Sequence, residues 1–411
     1  MKNKEILISK LLFFMFIGTM GSFGSFINLH LEQVVGLSGT QIGFVTFLGL
    51  IATVIMNPIW GYIADKTGKH IFLLKMSFLA ATVIGAFYYG ARTFTLVVIS
   101  VILLESMRAP IMALLEYLST NYSEKYNYEF GKIRVFASWG FLIIAVTTGF
   151  LVGGLELELF GNSLSFDGVM TLEFATFGIF IILNTVAVML LFFLPKSPNK
   201  VPVTTDNTKK SFDKNDVREL LTNKKFLMII ILTMIGFVTV DAVSSYSTMH
   251  LVTVLEASEN IVSWLALFTV TPELILLPLG TMLMTKFGFK NWYIFTLITM
   301  ILRLTLYSFT LNPTIFVLGG IVHALMMVMH TIGTIMYIRK VVLPKSLGLA
   351  LTILASTMAL SRAILSFMFG WIYENIDSFT MFRVAAIIVF LALFLALNSK
   401  NLKEVGNEMR L

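Results

Sequence analysis

The sequence predicts an all-α membrane protein with about twelve transmembrane helices in two pseudo-symmetric six-helix bundles. Three observations predict it. First, 57% of the 411 residues are hydrophobic and only 13% are charged, where soluble domains carry about 25% charged residues. A soluble fold this apolar would expose large greasy patches. Second, the apolar residues fall into runs long enough to cross a bilayer, which takes roughly 20 residues per helix. Third, the basic residues concentrate in alternate connections.

The runs lie at 7–30, 41–64, 71–91, 94–120, 130–154 and 169–194, then at 226–250, 260–285, 291–309, 315–338, 347–373 and 379–398. Alternation of the barrel kind is absent, so the spans are expected to be helical. The first run follows Lys2 and Lys4 as in a signal peptide, but it is too long and lacks a small-residue cleavage site. It reads as a retained first helix.

The cations alternate with the spans. Lys2 and Lys4 precede the first, Lys66 and Lys69 follow the second, and Lys125 follows the fourth. Lys196, Lys200, Lys209, Lys210, Lys214, Arg218, Lys224 and Lys225 follow the sixth. Lys286 and Lys290 follow the eighth, Arg339, Lys340 and Lys345 the tenth, and Lys400, Lys403 and Arg410 the last. The other connections hold Glu156, Glu158, Asp167, Glu256, Glu259, Glu374 and Asp377, with Arg92 nearly the only cation. This asymmetry is the positive-inside pattern. It predicts a multi-pass protein of the cell (cytoplasmic) membrane with both termini in the cytoplasm. It also assigns the net charge of +7 to membrane topology and not to nucleic acid.

Between Pro195 and Lys225 the chain is polar and basic. Pro198 and Pro202 suggest a flexible linker, and Asp213–Leu221 suggests a short amphipathic surface helix. The expected organisation is a first bundle at 1–195, a cytoplasmic linker at 196–225 and a second bundle at 226–411. Such paired repeats are a common architecture among carriers.

Composition also excludes chemistry. The chain has no cysteine, hence no disulfide, thiol catalysis or thiolate metal site. No Gly-Lys-Ser/Thr phosphate loop occurs, which argues against an ATP-driven pump. No catalytic triad can be assembled, so an enzyme is not expected. His30, His70 and His250 fall near span ends and read as interfacial. His323 and His330 share a face but stand about 10.5 Å apart along a helix, so no metal site is expected.

Charges inside the spans are the candidate functional residues, because each costs about 2.5–3.5 kcal/mol to insert. At 100° per residue, Glu105, Arg108, Met112 and Glu116 share one face of the fourth span. Arg134, Ser138 and Phe141 share one face of the fifth, and Trp139 points elsewhere. Asp241, Glu273, Arg303, His323 and Arg362 lie in the seventh, eighth, ninth, tenth and eleventh spans. Each has two readings, as a pair that pins helices or as a working group. Asp241 with Arg362 reads as a pinning pair.

Two motifs carry a family resemblance. The spacing Gly61-x-x-x-Asp65-Lys66-x-Gly68-Lys69, placed after the second span, resembles the signature loop of the major facilitator superfamily, with Gly61 and Gly68 expected to turn the connection. The segments Glu116-Tyr117-Leu118-Ser119, Asn127 to Phe136 and Gly140-Phe141 are similar to the oligosaccharide–proton symporter, or lactose permease-like, branch. Arg303 and His323 keep that branch's spacing, Glu273 resembles its helix-eight acid, and Gly370 to Glu374 resembles the end of its helix eleven. Lys286-Phe287-Gly288-Phe289-Lys290 occupies the second signature position, with Thr285 in place of the acid. The branch's proton-carrying acid and its helix-eleven lysine are replaced by Met326 and Met358. A sugar-holding Asn falls near Leu276, and the galactoside-stacking Trp falls at Phe141.

The resemblance implies a secondary active transporter that moves an oligosaccharide or glycoside by proton symport, as a monomer with no cofactor beyond the coupling proton. Glu116, Arg134, Phe141, Glu273 and His323 would hold the solute. Glu273, with Arg303 and His323, would couple the proton, and Glu105 beside Arg108 is the second candidate. Asp65 would latch helix ends and affect rate more than choice of solute. Carriers of aromatic acids such as phenylpropionate or of nucleosides, multidrug-type exporters, and a receptor that moves nothing remain alternatives.

Overall fold

The computed structural model describes residues 4–159, 162–194 and 214–402. Lys196, Lys200, Lys209, Lys210, Lys403, Arg410 and most of the linker lie outside the described residues, as does Asp213. Among the described residues, eleven helices are long and apolar enough to cross a membrane. They are α1 (Lys4–Gln33), α2 (Gly39–Thr67), α3 (His70–Tyr89), α4 (Phe94–Tyr126), α5 (Phe130–Gly153), α6 (Phe174–Phe192), α8 (Lys224–Ser244), α9 (Ile261–Phe287), α11 (Pro313–Val341), α12 (Leu347–Asn375) and α13 (Ser378–Asn398). A twelfth long helix, α10 (Phe289–Tyr307), has 19 residues and includes Lys290, Asn291 and Arg303, which make it less apolar. The short helix α7 (Lys214–Thr222) stands where the amphipathic linker helix was expected.

Local sequence sets many helix ends. Ser38 and Gln41 form a reciprocal capping box at the start of α2. Thr93, Asn223, Asn312 and Asp377 cap α4, α8, α11 and α13 with side-chain oxygens. Asn127 closes α4 in the left-handed region at φ 50°.

One feature departs from the all-helical reading. Leu155–Leu159 and Asn162–Phe166 form a two-stranded antiparallel hairpin, β1 and β2. Leu155, Leu157 and Leu159 alternate with Glu156 and Glu158, a period-two pattern suited to a strand. It is too short to affect the helical count.

The chain divides into two compact units, Met1–Thr205 with Thr248–Leu267, and Asp206–Ser247 with Phe268–Leu411. In the first unit α1 packs closely on α5. A side chain on Gly140 would strike the backbone of Phe14, and one on Gly21 would meet the α5 backbone at Phe141 and Ala145. Small residues let membrane helices approach in this way. Around that contact Leu12, Phe13, Phe78, Leu115, Tyr122, Ile133 and Leu191 are buried. Residues 248–267 join this unit through polar ties: Thr253 Oγ1 donates to Glu32 at 2.6 Å, Ser263 Oγ to the Val146 carbonyl at 2.6 Å, and Ser258 Oγ to the Gly153 carbonyl at 3.3 Å. In the second unit α10 lies along α13 and α8 along α12. Tyr307 stacks on Phe316 at 3.6 Å with Phe382 edge-on to both, and Tyr246 donates to the Ser366 carbonyl at 2.6 Å.

Wide π turns interrupt several spans: Met20–Gly24 in α1, Phe174–Gly178 in α6, Thr233–Val238 in α8 and Met329–Thr334 in α11, with another at His250–Val254. Such turns loosen the backbone ladder and often mark functional positions.

Three sequence expectations change. Gly61 lies inside α2, which continues through Pro58 to Thr67. Only Gly68 turns the connection, at φ 63°. Asp65 therefore sits on the last helical turn. His30 and His250 are buried rather than interfacial, at 1% and 0% exposure. His30 packs edge-on to Phe177 at 5.0 Å, because the span ends are covered by neighbouring helices.

Candidate functional site

The candidate functional charges of the first unit form two distinct pairs along α4. Arg108 is buried at 3% side-chain exposure and lies 3.1 Å from Glu105, which is 27% exposed. Its guanidinium donates to Thr19 Oγ1 at 3.3 Å and faces the rings of Phe16, Phe23 and Phe180 at 5.7, 5.9 and 5.4 Å. A carboxylate, a hydroxyl and three aromatic faces together offset the cost of placing a cation there. The Thr53 hydroxyl lies 3.5 Å from the other Glu105 oxygen.

Pro110 separates this pair from the next. It has no N–H to give the Ser106 carbonyl one turn back, and the helix breaks at Ala109 and Pro110. The Trp60 indole N–H donates to that carbonyl instead, at 2.9 Å. Freed backbone groups in a membrane need such substitutes.

Beyond the break, Glu116 stands 3.6 Å from Arg134 Nε, and both side chains are about half exposed. Arg134 also lies over the Phe13 ring at 5.5 Å. Phe141 is half-buried on α5, about 10.5 Å further along the axis. The structure thus brings Glu116 and Arg134 together and leaves each with unused hydrogen-bonding capacity. An open pocket of about 390 Å³ reaches Glu116 from the signature segment; Trp60, Gly61, Asp65, His70 and Tyr117 also line it. His70 stacks on Tyr117 at 4.1 Å, Lys66 lies over the Tyr62 ring at 5.6 Å, and Lys69 precedes α3.

The second unit holds two more clusters. Arg303, 5% exposed, donates to His323 Nδ1 at 3.0 Å and to Tyr307 Oη at 2.9 Å. Arginine can only donate, so Nδ1 of His323 is the acceptor. Arg362 Nε lies 3.0 Å from Asp241, and both are partly exposed. Glu273, half-buried beside Pro272 in α9, is not brought into this group. Among the described residues no hydrogen bond or ion pair joins it to Arg303 or His323, whose polar atoms engage each other and Tyr307. The expected three-residue cluster is therefore a pair with a tyrosine, and Glu273 stands apart.

Sequence reasoning missed Thr19, Thr53, Trp60 and Tyr307, and the aromatic surround of Arg108. Tyr307, four residues after Arg303, had a signal in helical spacing. The others come from different helices and had none. Among the described residues no group of three or more metal-ligating side chains occurs.

The model of the MFS_1 like family matches residues 6–384. The chain belongs to this family. It is a multi-pass membrane protein with the major facilitator fold. The chain is similar to a maltose permease of Geobacillus stearothermophilus, 25% identical over 236 residues, which cover 57% of this chain and 54% of the permease. The chain thus spans about half the length of the curated relatives it matches. Two solved structures share the fold of this family member. One is the nucleoside transporter NupG, with a TM-score of 0.78 and 16% identity over 96% of this chain and 98% of that one. The other is a D-xylose–proton symporter, with a TM-score of 0.69 and 16% identity over 96% and 97%.

Proposed function

We propose that this protein is a secondary active transporter that carries a small hydroxylated solute, an oligosaccharide or glycoside, across the cell membrane by proton symport with alternating access. It is a carrier rather than an enzyme, works as a monomer, and keeps both termini in the cytoplasm. The observation that carries the reading is the Glu116–Arg134 pair. At 3.6 Å and half exposed, it is too open to serve only as a rivet. A carboxylate that accepts and a guanidinium that donates, side by side, suit vicinal hydroxyls, and charge-assisted bonds are the strong ones. Phe141 on the same helix face offers an apolar platform. The kinship with a maltose permease supports a sugar, and the fold shared with a xylose–proton symporter supports the mode of coupling.

Glu273 is the proposed proton carrier of the second unit, with His323 and Arg303 acting from a separate cluster. A carboxylate without a cationic partner can gain and lose a proton without breaking an ion pair. Glu105, held by Arg108, is the second candidate. A nucleoside is the alternative solute, and the structural likeness to NupG favours it. An aromatic acid fits less well, because Arg303, one of the two cations that would bind it, is buried and engaged.

The test is uptake of labelled maltose, uridine and phenylpropionate into proteoliposomes, with and without an inward proton gradient. Gradient-stimulated maltose uptake that falls at least 100-fold in E116Q and R134K is the expected result. Uptake of uridine or phenylpropionate alone would replace the solute. Maltose uptake indifferent to both substitutions would remove the pair from the site.

A further inference from the structure

Two wide turns of the second unit face one small cavity. Thr233–Val238 of α8 contributes Thr233, Gly236 and Phe237, and Met329–Thr334 of α11 contributes Met329, His330 and Thr334. Across the cavity His330 stacks on Phe237, with centroids 3.8 Å apart and planes at 22°. The cavity has about 20 Å³ of room for water, and one water needs about 10–15 Å³ on that measure. Its wall carries two buried polar atoms without a protein partner, His330 Nδ1 and Thr233 Oγ1. Buried polar groups in this state are commonly bridged by water. The Tyr293 side chain from α10 also lines the cavity.

The charged and titratable groups facing His330 are few. Asp241 lies one helical turn after Phe237, the ring on which His330 stacks. Arg362 from α12 pairs with Asp241 at 3.0 Å, and Tyr293 stands on α10. His323, two turns away on α11, differs sharply. Its Nδ1 lone pair is occupied by Arg303 at 3.0 Å, so a proton cannot enter there without displacing that guanidinium.

We propose that His330 is a proton-binding residue of the second unit, hydrated through one internal water that bridges its Nδ1 and the Thr233 hydroxyl, with Asp241 as the counter-charge. The proton arrives on Nδ1 through the water, and the imidazolium is balanced by Asp241, which Arg362 otherwise holds alone. No bond beyond N–H forms or breaks. Its use in coupling rests on the proton-symport reading; its existence does not.

The experiment follows the five histidines in ¹⁵N-histidine-labelled, full-length protein in lipid nanodiscs, with His330 identified by loss of its signals in H330Q or, if that variant does not fold, in H330N. His330 is expected to exchange magnetisation with water and to titrate in one step as the pH is lowered from about 8 to about 3. T233V should weaken the water contact at least twofold, and D241N should move the midpoint down by about one pH unit or more. A dry His330, a His330 signal flat across that range, or a midpoint indifferent to D241N overturns the proposal. None of these readouts needs a transported solute. A failed uptake assay beside a titrating His330 would therefore count against the carrier reading alone.

Discussion

Among the candidate charges inside the spans, each unit holds one buried arginine and one arginine in an open ion pair, but the two units neutralise the buried charge differently. In the first unit Arg108 meets a carboxylate, Glu105, and three aromatic faces. In the second Arg303 meets only neutral acceptors, a histidine nitrogen and a tyrosine hydroxyl. The open pairs, Glu116–Arg134 and Asp241–Arg362, are alike in being carboxylate–guanidinium contacts with partial exposure. The difference shows that the first unit's buried arginine is built as a stable, charge-balanced post. The second unit's carries a net positive charge in its immediate shell, with no carboxylate among its hydrogen-bond partners in the described residues.

Breaking the buried clusters tests that contrast with the largest effects. R108A leaves Glu105 without its cation and should destabilise the protein by about 3–5 kcal/mol. Low yield of monodisperse protein and a marked fall in melting temperature in detergent are expected. R303A removes an unbalanced charge and leaves only neutral groups unpaired, so its cost is about 1–3 kcal/mol. Equal losses in the two variants would remove the distinction between the units.

The open pairs come next, and there stability and transport should separate. Partly exposed ion pairs contribute about 0–1 kcal/mol, so E116Q should melt within a few degrees of the parent while solute uptake is lost. For Asp241 and Arg362 a double-mutant cycle decides between pinning and working roles. If the pair only pins helices, D241N and R362Q each reduce uptake modestly and the double variant restores it. Should the double variant remain inactive with unchanged melting, Asp241 has a task beyond its partner, as the His330 proposal requires.

These contrasts were only partly legible in the sequence. The spans were, because lipid demands long apolar runs and water does not. The pairing of Glu116 with Arg134 was legible only through a recognised motif, because helical angles place each residue on a face of its own span and no further. Which arginine would be buried was not, since Thr19, Phe16, Phe23 and Phe180 reach Arg108 from other helices. The role of Pro110 depended on Trp60, fifty residues earlier in sequence and visible only in contact. The separation of Glu273 from Arg303 was hidden for the same reason: spacing along one helix says nothing of distance between two. The wide turns follow from packing and have no short-range code. Asp377, outside the spans, is a simpler case. Burial would raise its carboxyl, but hydrogen bonds from the Thr380 side chain and backbone outweigh it and hold the group below its ordinary value. An Asp three residues before a Thr at a helix start already suggests that cap.

The smallest effects lie in the glycines that join the paired helices of each unit. Gly68 follows α2 at φ 63°, ψ 9°, in the left-handed helical region, where a side chain costs about 1–2 kcal/mol. Gly288 joins α9 to α10 at φ 79°, ψ 142°, close to a region reserved for glycine, where strain is of order 1–3 kcal/mol. Gly61 belongs to the same motif as Gly68 but is helical, and a Cβ on it would meet nothing within 4 Å. Alanine there removes backbone freedom and should be neutral or stabilising by about 0.5–1 kcal/mol. The expected order of melting temperatures is therefore G61A above the parent or equal to it, then G68A, then G288A. If G61A instead fell with G68A, Gly61 would be needed for a close approach made in another state of the protein. The first unit's signature segment would then differ from its degenerate counterpart by a moving contact and not only by the acid at Asp65.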